Sequence, residues 1–444
     1  MKEVYNFLDS LNITKSDTLI IGVSFGPDSM FLLDLLKNKY KDNKIVCAHV
    51  HHNHRKESDI EAIKLEDYCK CNNIIFEFMK IDSYTDNKFT EEEARNKRYN
   101  FFKSLIDKYN SKYLFTAHHG DDLSETILMR LVRGSNLKGY SGISLVSMRD
   151  NYNIVRPLLF LTKEYIESYC DKNNIPYAVD ISNESDKYTR NRYRNNILKF
   201  LKSENKNVHT KFLDFSLELK KYDNYINSIA LKEYKNVIDN NNINLDKLNK
   251  LDSLIKEKVI ELYLYNNYKN DIKNVNKSHL SKIIDLSNNS SNKRINLPCK
   301  KVLVKSYNKI YFDNGSNYNN YSYVLDDKVL LPNNYTIECI NALDDTSNFV
   351  TAFNSKEISL PLYVRNKKDG DKIEILGLGG NKKIKDIFID EKVDISRRKN
   401  YPVVTDSNDN ILWLPGLKKS KYDKSKNGKY DIILKYSLKG EKDE

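Results

Sequence analysis

Six consecutive residues, Ser24-Phe25-Gly26-Pro27-Asp28-Ser29, combine hydroxyls, a carboxylate and turn-forming positions in a pattern suited to holding an anion. A loop of small residues leaves backbone N–H groups uncovered, and a helix starting behind it adds its partial positive charge, so a phosphate would be bound from two sources. The same spacing also fits an ordinary strand-to-helix turn with Ser29 or Asp28 as N-cap. Three further groups of polar residues have the types needed for phosphate or proton chemistry. His49, His51, His52 and His54 precede Arg55; His118-His119 stand next to Asp121-Asp122 and Glu125; and Arg190-Asn191-Arg192-Tyr193-Arg194 is strongly cationic. Guanidinium forks suit phosphate better than ammonium does. The paired histidines and aspartates also admit a zinc reading, although zinc ligands usually come from more widely spaced positions. His49 and His51 are expected to alternate faces of a strand, with one of them packed.

These groups need elements to position them. Thr18 to Val23 is an apolar run of the kind a parallel strand buried on both faces requires, and Met30, Phe31, Leu33 and Leu36 follow at helical spacing. Strands are expected at 18–23, 44–50, 74–80, 113–117 and 153–159, alternating with helices at 30–38, 57–73, 90–109, 121–133 and 162–173. Thr90 to Glu93 has the form of a capping box. Such alternation predicts an α/β fold with a doubly wound parallel sheet, whose ligands sit beyond the carboxyl ends of the strands. Three of the polar groups fall at such ends. From about 206 the periodicity becomes helical, with two short strands around 305–309; a tract rich in Asn, Gly, Ser and Tyr at 313–321 reads as a linker, and a strand-rich α+β unit starts near 325. The expected division is 1–205, 206–320 and 325–444.

The 444 residues exceed what one core normally serves. Their 73 Lys and Arg against 61 Asp and Glu leave a net charge of +12, which favours a polyanionic partner such as nucleic acid. The six cysteines show no ligand spacing, which points to reduced thiols in a cytosol. No apolar run reaches membrane-spanning length and residues 1–10 do not read as a signal peptide, so a soluble, cytoplasmic protein without a membrane partner is expected. Oligomeric state is not legible.

The loop at 24–29 resembles that of the N-type ATP pyrophosphatases, written Ser-Gly-Gly-x-Asp-Ser, and it belongs with four further matches in the order the lysidine synthetases show. These are His49 to Arg55, Glu93-Ala94-Arg95 with Arg98-Tyr99, Ala117 to Thr126 continuing to Gly134, and Tyr188 to Arg194. The passage from Leu362 to Asp371, leading to Lys382–Asp390, Arg397 and Trp413-Leu414-Pro415-Gly416, is similar to the C-terminal domain of the longer members. The resemblance implies a Rossmann-like PP-loop ATPase domain that adenylates the wobble cytidine of a CAU-anticodon isoleucine tRNA and then admits L-lysine. It implies ATP and Mg²⁺ as co-substrate and ion. Ser24, Phe25, Gly26, Pro27, Asp28, Ser29, His52, Arg55 and Arg95 would hold ATP, Asp28 would carry the metal, and Asp28, His119, Asp122 and Arg194 would be catalytic. Glu125, Arg130, Arg133, Arg190, Lys367, Lys368 and Arg397 would contact lysine or tRNA. Two departures stand out: Phe25 replaces the second loop glycine and Leu123 a glutamine. A phenylalanine at a positive φ would be strained, and its ring could crowd the phosphates. The alternatives are a thiolase of the same superfamily, whose usual cysteines are missing, and a tRNA-binding relative impaired by Phe25.

Overall fold

The computed structural model describes residues 1–51, 57–81, 90–178, 189–313, 320–343, 345–376, 380–426 and 428–438. The chain divides into two compact units, 1–225 and 226–444. No helix among the described residues is long and apolar enough to cross a membrane.

In the first unit β1 (Thr18–Gly22), β2 (Lys44–His51), β3 (Ile75–Lys80), β4 (Tyr113–Phe115), β5 (Val146–Arg149) and β6 (Tyr152–Val155) form one sheet in the order β3-β2-β1-β4-β6-β5. All pairings are parallel except that of β5 with β6. Helices α2 (Pro27–Lys39), α3 (Glu57–Cys71), α4 (Glu91–Tyr109), α5 (Gly120–Arg133) and α7 (Lys163–Lys172) fill the connections, with α1 (Lys2–Asp9) before β1 and the single turn α6 (Leu137–Tyr140) after α5. Strand alternation sends Leu19 and Ile21 into a core with Phe31, Leu35 and Cys170. Ile20 points the opposite way, to Phe102, Ile106 and Leu114. The expected strands and helices of this unit are therefore present with small shifts at their ends.

The strand expected over 153–159 stops at Val155. Pro157, which has no N–H to give the ladder, begins a 3₁₀ turn over Pro157–Phe160 instead. At the N-terminus of α4 the Thr90 hydroxyl accepts the Glu93 N–H at 3.2 Å, as the capping pattern predicts. Of the thiols, Cys47, Cys69 and Cys170 are buried while Cys71, Cys299 and Cys339 are exposed.

The second unit begins inside the long helix Val208–Val237. A helical layer that includes Ser253–Tyr268 and Lys277–Asn288 packs on a five-stranded sheet containing the expected strands Val302–Ser306 and Lys309–Asp313. Further along, a five-stranded sheet runs through Tyr363–Asn366, Pro402–Thr405 and Ile411–Leu414, and a four-stranded one through Tyr335–Cys339 and Ile432–Leu438. Leu362, Val404, Trp413 and Leu434 share the core between them. Within this unit Tyr307 accepts a hydrogen bond from Arg398 at 2.6 Å, and the Tyr311 hydroxyl donates to Asp394.

Candidate active site

The strand order reverses between β1 and β4, and the two loops leaving their carboxyl ends carry Ser24–Ser29 and Ala117–His119. A crevice at such a reversal is where open α/β sheets bind ligands. Behind the first loop, Pro27 takes the first position of α2, where its missing N–H costs nothing and its fixed φ suits the helix. The loop is fastened by one side chain: Ser29 Oγ donates to the Gly26 carbonyl at 3.0 Å and accepts the Ser24 N–H at 3.1 Å. Ser24 is exposed and Ser29 buried. A Cβ on Gly26 would meet nothing closer than the Ser24 hydroxyl at 3.6 Å, and its φ of −78° is open to any residue. Packing in the protein therefore does not require a glycine there; a ligand seated against the backbone would.

Phe25 does adopt the positive φ, +65°. Its ring, however, is 2% exposed and packs in the apolar cluster with Val23, Met30, Phe31 and Ile175, so it is core rather than an obstruction over the loop. Its carbonyl accepts the Ala178 N–H at 2.9 Å.

At the second loop, His119 caps α5: its backbone N–H donates to Asp122 Oδ2 at 3.0 Å in a reciprocal capping box. Its imidazole Nε2 lies 3.8 Å from Asp28 Oδ2 and 3.6 Å from Asp122 Oδ2, which joins the two loops. Burial pushes the Asp28 carboxyl above its ordinary value, against the pull of His119 and with a contribution from Asp122. Asp28 Oδ1 and His119 Nδ1 are buried without a hydrogen-bond partner. His118 donates to or accepts from Thr116 Oγ1 at 3.1 Å, and burial together with Arg156, Arg190 and Arg95 holds its pKa down to about 4 despite Asp122.

Asp122 and Glu125 are one turn apart on α5 and face Arg190 and Arg194. Arg190 Nε donates to Glu125 at 2.7 Å and its Nη2 to Asp122 at 2.9 Å; Arg194 Nε donates to Glu125 at 2.6 Å and its Nη2 to Asp122 at 3.3 Å. The Glu125 side chain is 0% exposed. Two carboxylates and two guanidiniums thus form a closed, charge-balanced box. Burial alone would raise the Asp122 pKa, but His119, Arg190 and His118 together with the His119 N–H hold it well below the usual carboxylate range. Arg190 lies in the turn α8 (Thr189–Arg192), and Arg194 in a π-helical turn over Tyr193–Leu198, the kind of local widening often found at functional sites.

Asp121, the neighbour of Asp122, turns the other way. It accepts from Lys202 Nζ at 2.8 Å and from the Lys163 N–H at 3.0 Å, and so ties α5 to the start of α7. Gly120 makes this close approach possible, since a Cβ there would lie 2.9 Å from the Leu161 carbonyl.

The remaining sequence-derived residues are placed as follows. Arg95 is exposed on α4, its guanidinium 4.8 Å from the Tyr99 ring centre. Arg130 donates to the carbonyls of Gly139 at 2.5 Å and Gly142 at 3.3 Å, so it fastens the segment around α6; Arg133 is exposed at the end of α5. Lys367 pairs with Asp369 at 2.6 Å, Lys368 with Asp409 at 3.4 Å, and Arg397 is exposed. Behind these two lysines the buried Arg365 is gripped by Asp371 and Asp409, each at 2.9 Å. His52 and Arg55 lie outside the described residues.

One expectation is corrected. His49 and His51 do not alternate faces: residues two apart in a strand share one, and both are buried, His49 bonded to the Val23 carbonyl at 2.8 Å and His51 paired with Asp59 at 3.3 Å. Among the described residues no group of three or more His, Cys, Asp or Glu is arranged to hold a metal ion. Magnesium, by contrast, usually takes one or two carboxylates and completes its shell with phosphates and water, and Asp28 Oδ1 is a free carboxylate oxygen of that kind. Sequence reasoning missed Arg156, a single residue beyond a strand end with no motif around it that marks a site.

Residues 1–201 match the PP-loop domain and residues 362–434 the TilS substrate C-terminal domain. The chain is 35% identical over 446 residues to the tRNA(Ile)-lysidine synthase of Bacillus subtilis, covering 95% of this chain and 94% of that one. It is 35% identical to the bifunctional protein TilS/HprT of Listeria innocua, with 98% of this chain and 70% of that one covered. A crystal structure of a TilS C-terminal domain is similar over 27% of this chain and 98% of its own, at 32% identity and a TM-score of 0.25. With relatives that similar along nearly its whole length and both characteristic domains matched, the chain belongs to the tRNA(Ile)-lysidine synthase family.

Proposed function

We propose that this chain joins L-lysine to C2 of the wobble cytidine of the CAU anticodon of tRNA(Ile), consuming ATP. The cytidine O2 attacks the α-phosphate and pyrophosphate leaves; the lysine ε-amine then attacks C2, and AMP departs with that oxygen. The observation that carries this reading is the meeting of the Ser24–Ser29 loop with His119, Asp122, Glu125, Arg190 and Arg194 at the carboxyl edge of one sheet, in a chain of this family.

Ser24, Gly26 and Ser29 offer hydroxyl and backbone donors to the phosphates, and Phe25 and Pro27 shape the loop from behind. Asp28, with one buried oxygen unpartnered, would hold Mg²⁺ or the lysine ammonium, and either cation would offset the burial that raises its pKa. When bound, Mg²⁺ supplies charge neutralisation at the phosphates. His119 reaches both Asp28 and Asp122 and is placed to contact phosphate or base. Arg194 and Arg190 bring positive charge to the developing oxyanion, where positioned charge counts most. Glu125 and Asp122 fix both guanidiniums, and Asp122, the less buried of the two, would orient the amine. His52, Arg55 and Arg95 complete the ATP site in this reading.

Arg130, Arg133, Lys367, Lys368 and Arg397 would serve tRNA, mostly along its backbone. The division of labour follows 1–205 for catalysis and 206–320 with 325–444 for tRNA, in the cytoplasm. The test is incubation with ATP, labelled lysine and the isoleucine tRNA: label in the tRNA together with pyrophosphate and AMP supports the reading, and its absence defeats it. D28A should abolish pyrophosphate release while tRNA binding stays nearly intact; equal loss of both would make Asp28 structural.

A further inference from the structure

Arg156 follows β6 immediately and lies at the carboxyl edge of the sheet, two strands along from β1. At a strand spacing of about 4.8 Å this is roughly 10 Å from the phosphate loop. The residue is 7% exposed. One terminal nitrogen, Nη1, is fully used, donating to the Ser144 carbonyl and to Ser147 Oγ, both at 2.9 Å. Nε is buried and has no partner. No carboxylate among the described residues forms an ion pair with it.

Besides the Tyr99 phenol, which hydrogen-bonds the guanidinium, the charged side chains that act on Arg156 are cations, Arg95 and Arg149, and Lys220 and His118 feel its charge in turn. Lys220 donates to the Ile143 carbonyl at 3.2 Å and to Ser216 Oγ at 3.1 Å, again with no acid, and burial together with Arg156 holds its pKa down to about 8. The other arginines of the site differ in kind: Arg190 and Arg194 have carboxylate partners, and Arg130 is spent on carbonyls. A buried guanidinium surrounded by cations is costly unless an anion completes it.

We propose that Arg156, with Lys220 beside it, is a receptor for one phosphodiester of the substrate RNA flanking the base that enters the site. The proposal rests on the tRNA reading above. A phosphodiester oxygen suits the unpartnered Nε–H, which would make a charge-assisted hydrogen bond to it. The ATP triphosphate has its own seat at Ser24–Ser29, and an anion two strands away marks where the RNA backbone passes while its base reaches toward the loop.

The experiment is fluorescence anisotropy of a labelled CAU anticodon stem-loop on the full chain, across a salt series, with ATP affinity measured separately by calorimetry. R156M should weaken RNA binding about tenfold or more, as expected for a charge-assisted contact. It should also lower the slope of log affinity against log salt by about 0.7, the contribution of one single-strand phosphate. ATP affinity should stay within about threefold. Stem-loops with a neutral methylphosphonate on one side or the other of the target cytidine should reproduce the loss for one position in the wild type and add nothing in R156M. If circular dichroism finds R156M unfolded, K220M carries the same test with an expected loss of about threefold and the same non-additivity. Unchanged RNA affinity in the folded variants would make Arg156 a structural cation and overturn the proposal, as would a loss of ATP affinity in place of RNA affinity. Wild-type protein that binds ATP but not the stem-loop would instead refute the tRNA reading itself.

Discussion

Replacing Phe25 with the glycine of the Ser-Gly-Gly-x-Asp-Ser pattern should weaken this protein. Phe25 holds φ at +65°, a region that costs a side-chain-bearing residue about 1–2 kcal/mol. Its ring is also 2% exposed inside the first unit's main core, and truncating such a ring to alanine costs about 3–5 kcal/mol. F25A therefore loses the ring and keeps the strain. F25G loses the ring and sheds the strain, less about 0.4–1 kcal/mol for the extra freedom glycine gives the unfolded chain. The expected order is wild type, then F25G about 2–4 kcal/mol lower, then F25A about 3–5 kcal/mol lower. Trp413, the one tryptophan, lies in the second unit, so its fluorescence reports the other half of the molecule. Hydrogen exchange by mass spectrometry, read on peptides from β1 and α2, addresses the right core. Protection in F25G equal to or above wild type would refute the reasoning, because it would mean that strain outweighs burial. ATP affinity in F25G should stay within about threefold of wild type; a tenfold tightening would show that the ring obstructs the phosphates after all.

The depressed pKa of Asp122 contributes stability that is present above the ordinary carboxylate value of 3.8 and is lost as pH falls below it through the folded value. Acid unfolding of the wild type followed by far-UV circular dichroism should thus be steeper below pH 4 than that of D122N, and parallel curves would defeat the assignment. Gly120→Ala would push a Cβ to 2.9 Å from one backbone carbonyl and 3.1 Å from another, neither of which can swing aside; a loss of about 1–3 kcal/mol and a lower melting temperature are expected, and an unchanged melt would count against the packing described.

The half of the site that was legible in sequence is the half carried by strong local patterns. Thr18 to Val23 reads as a buried parallel strand because both its faces are covered, and Ser24 to Ser29 declares a turn by its residue types alone. Asp122 and Glu125 could be named but not paired, since their arginines arrive from 65 to 72 residues away and no spacing rule links them. Asp121 and Asp122 look equivalent in a row of letters; the turn of about 100° per helical residue sends one to Lys202 and the other to the site. β5 was invisible because Val146-Ser147-Met148-Arg149 is a four-residue, mostly exposed edge strand, too short for its alternation to stand out. The π-helical turn holding Arg194 likewise has no compositional mark.

The box formed by Asp122, Glu125, Arg190 and Arg194 has an evolutionary consequence. Two unshielded acids beside a polyanionic nucleotide would repel it, and the two guanidiniums offset that repulsion. Loss of any one member leaves a buried ion without its complement, so descendants of this sequence should keep the quartet or exchange it by compensated pairs, and a lineage with a single replacement should carry a second nearby that restores the balance.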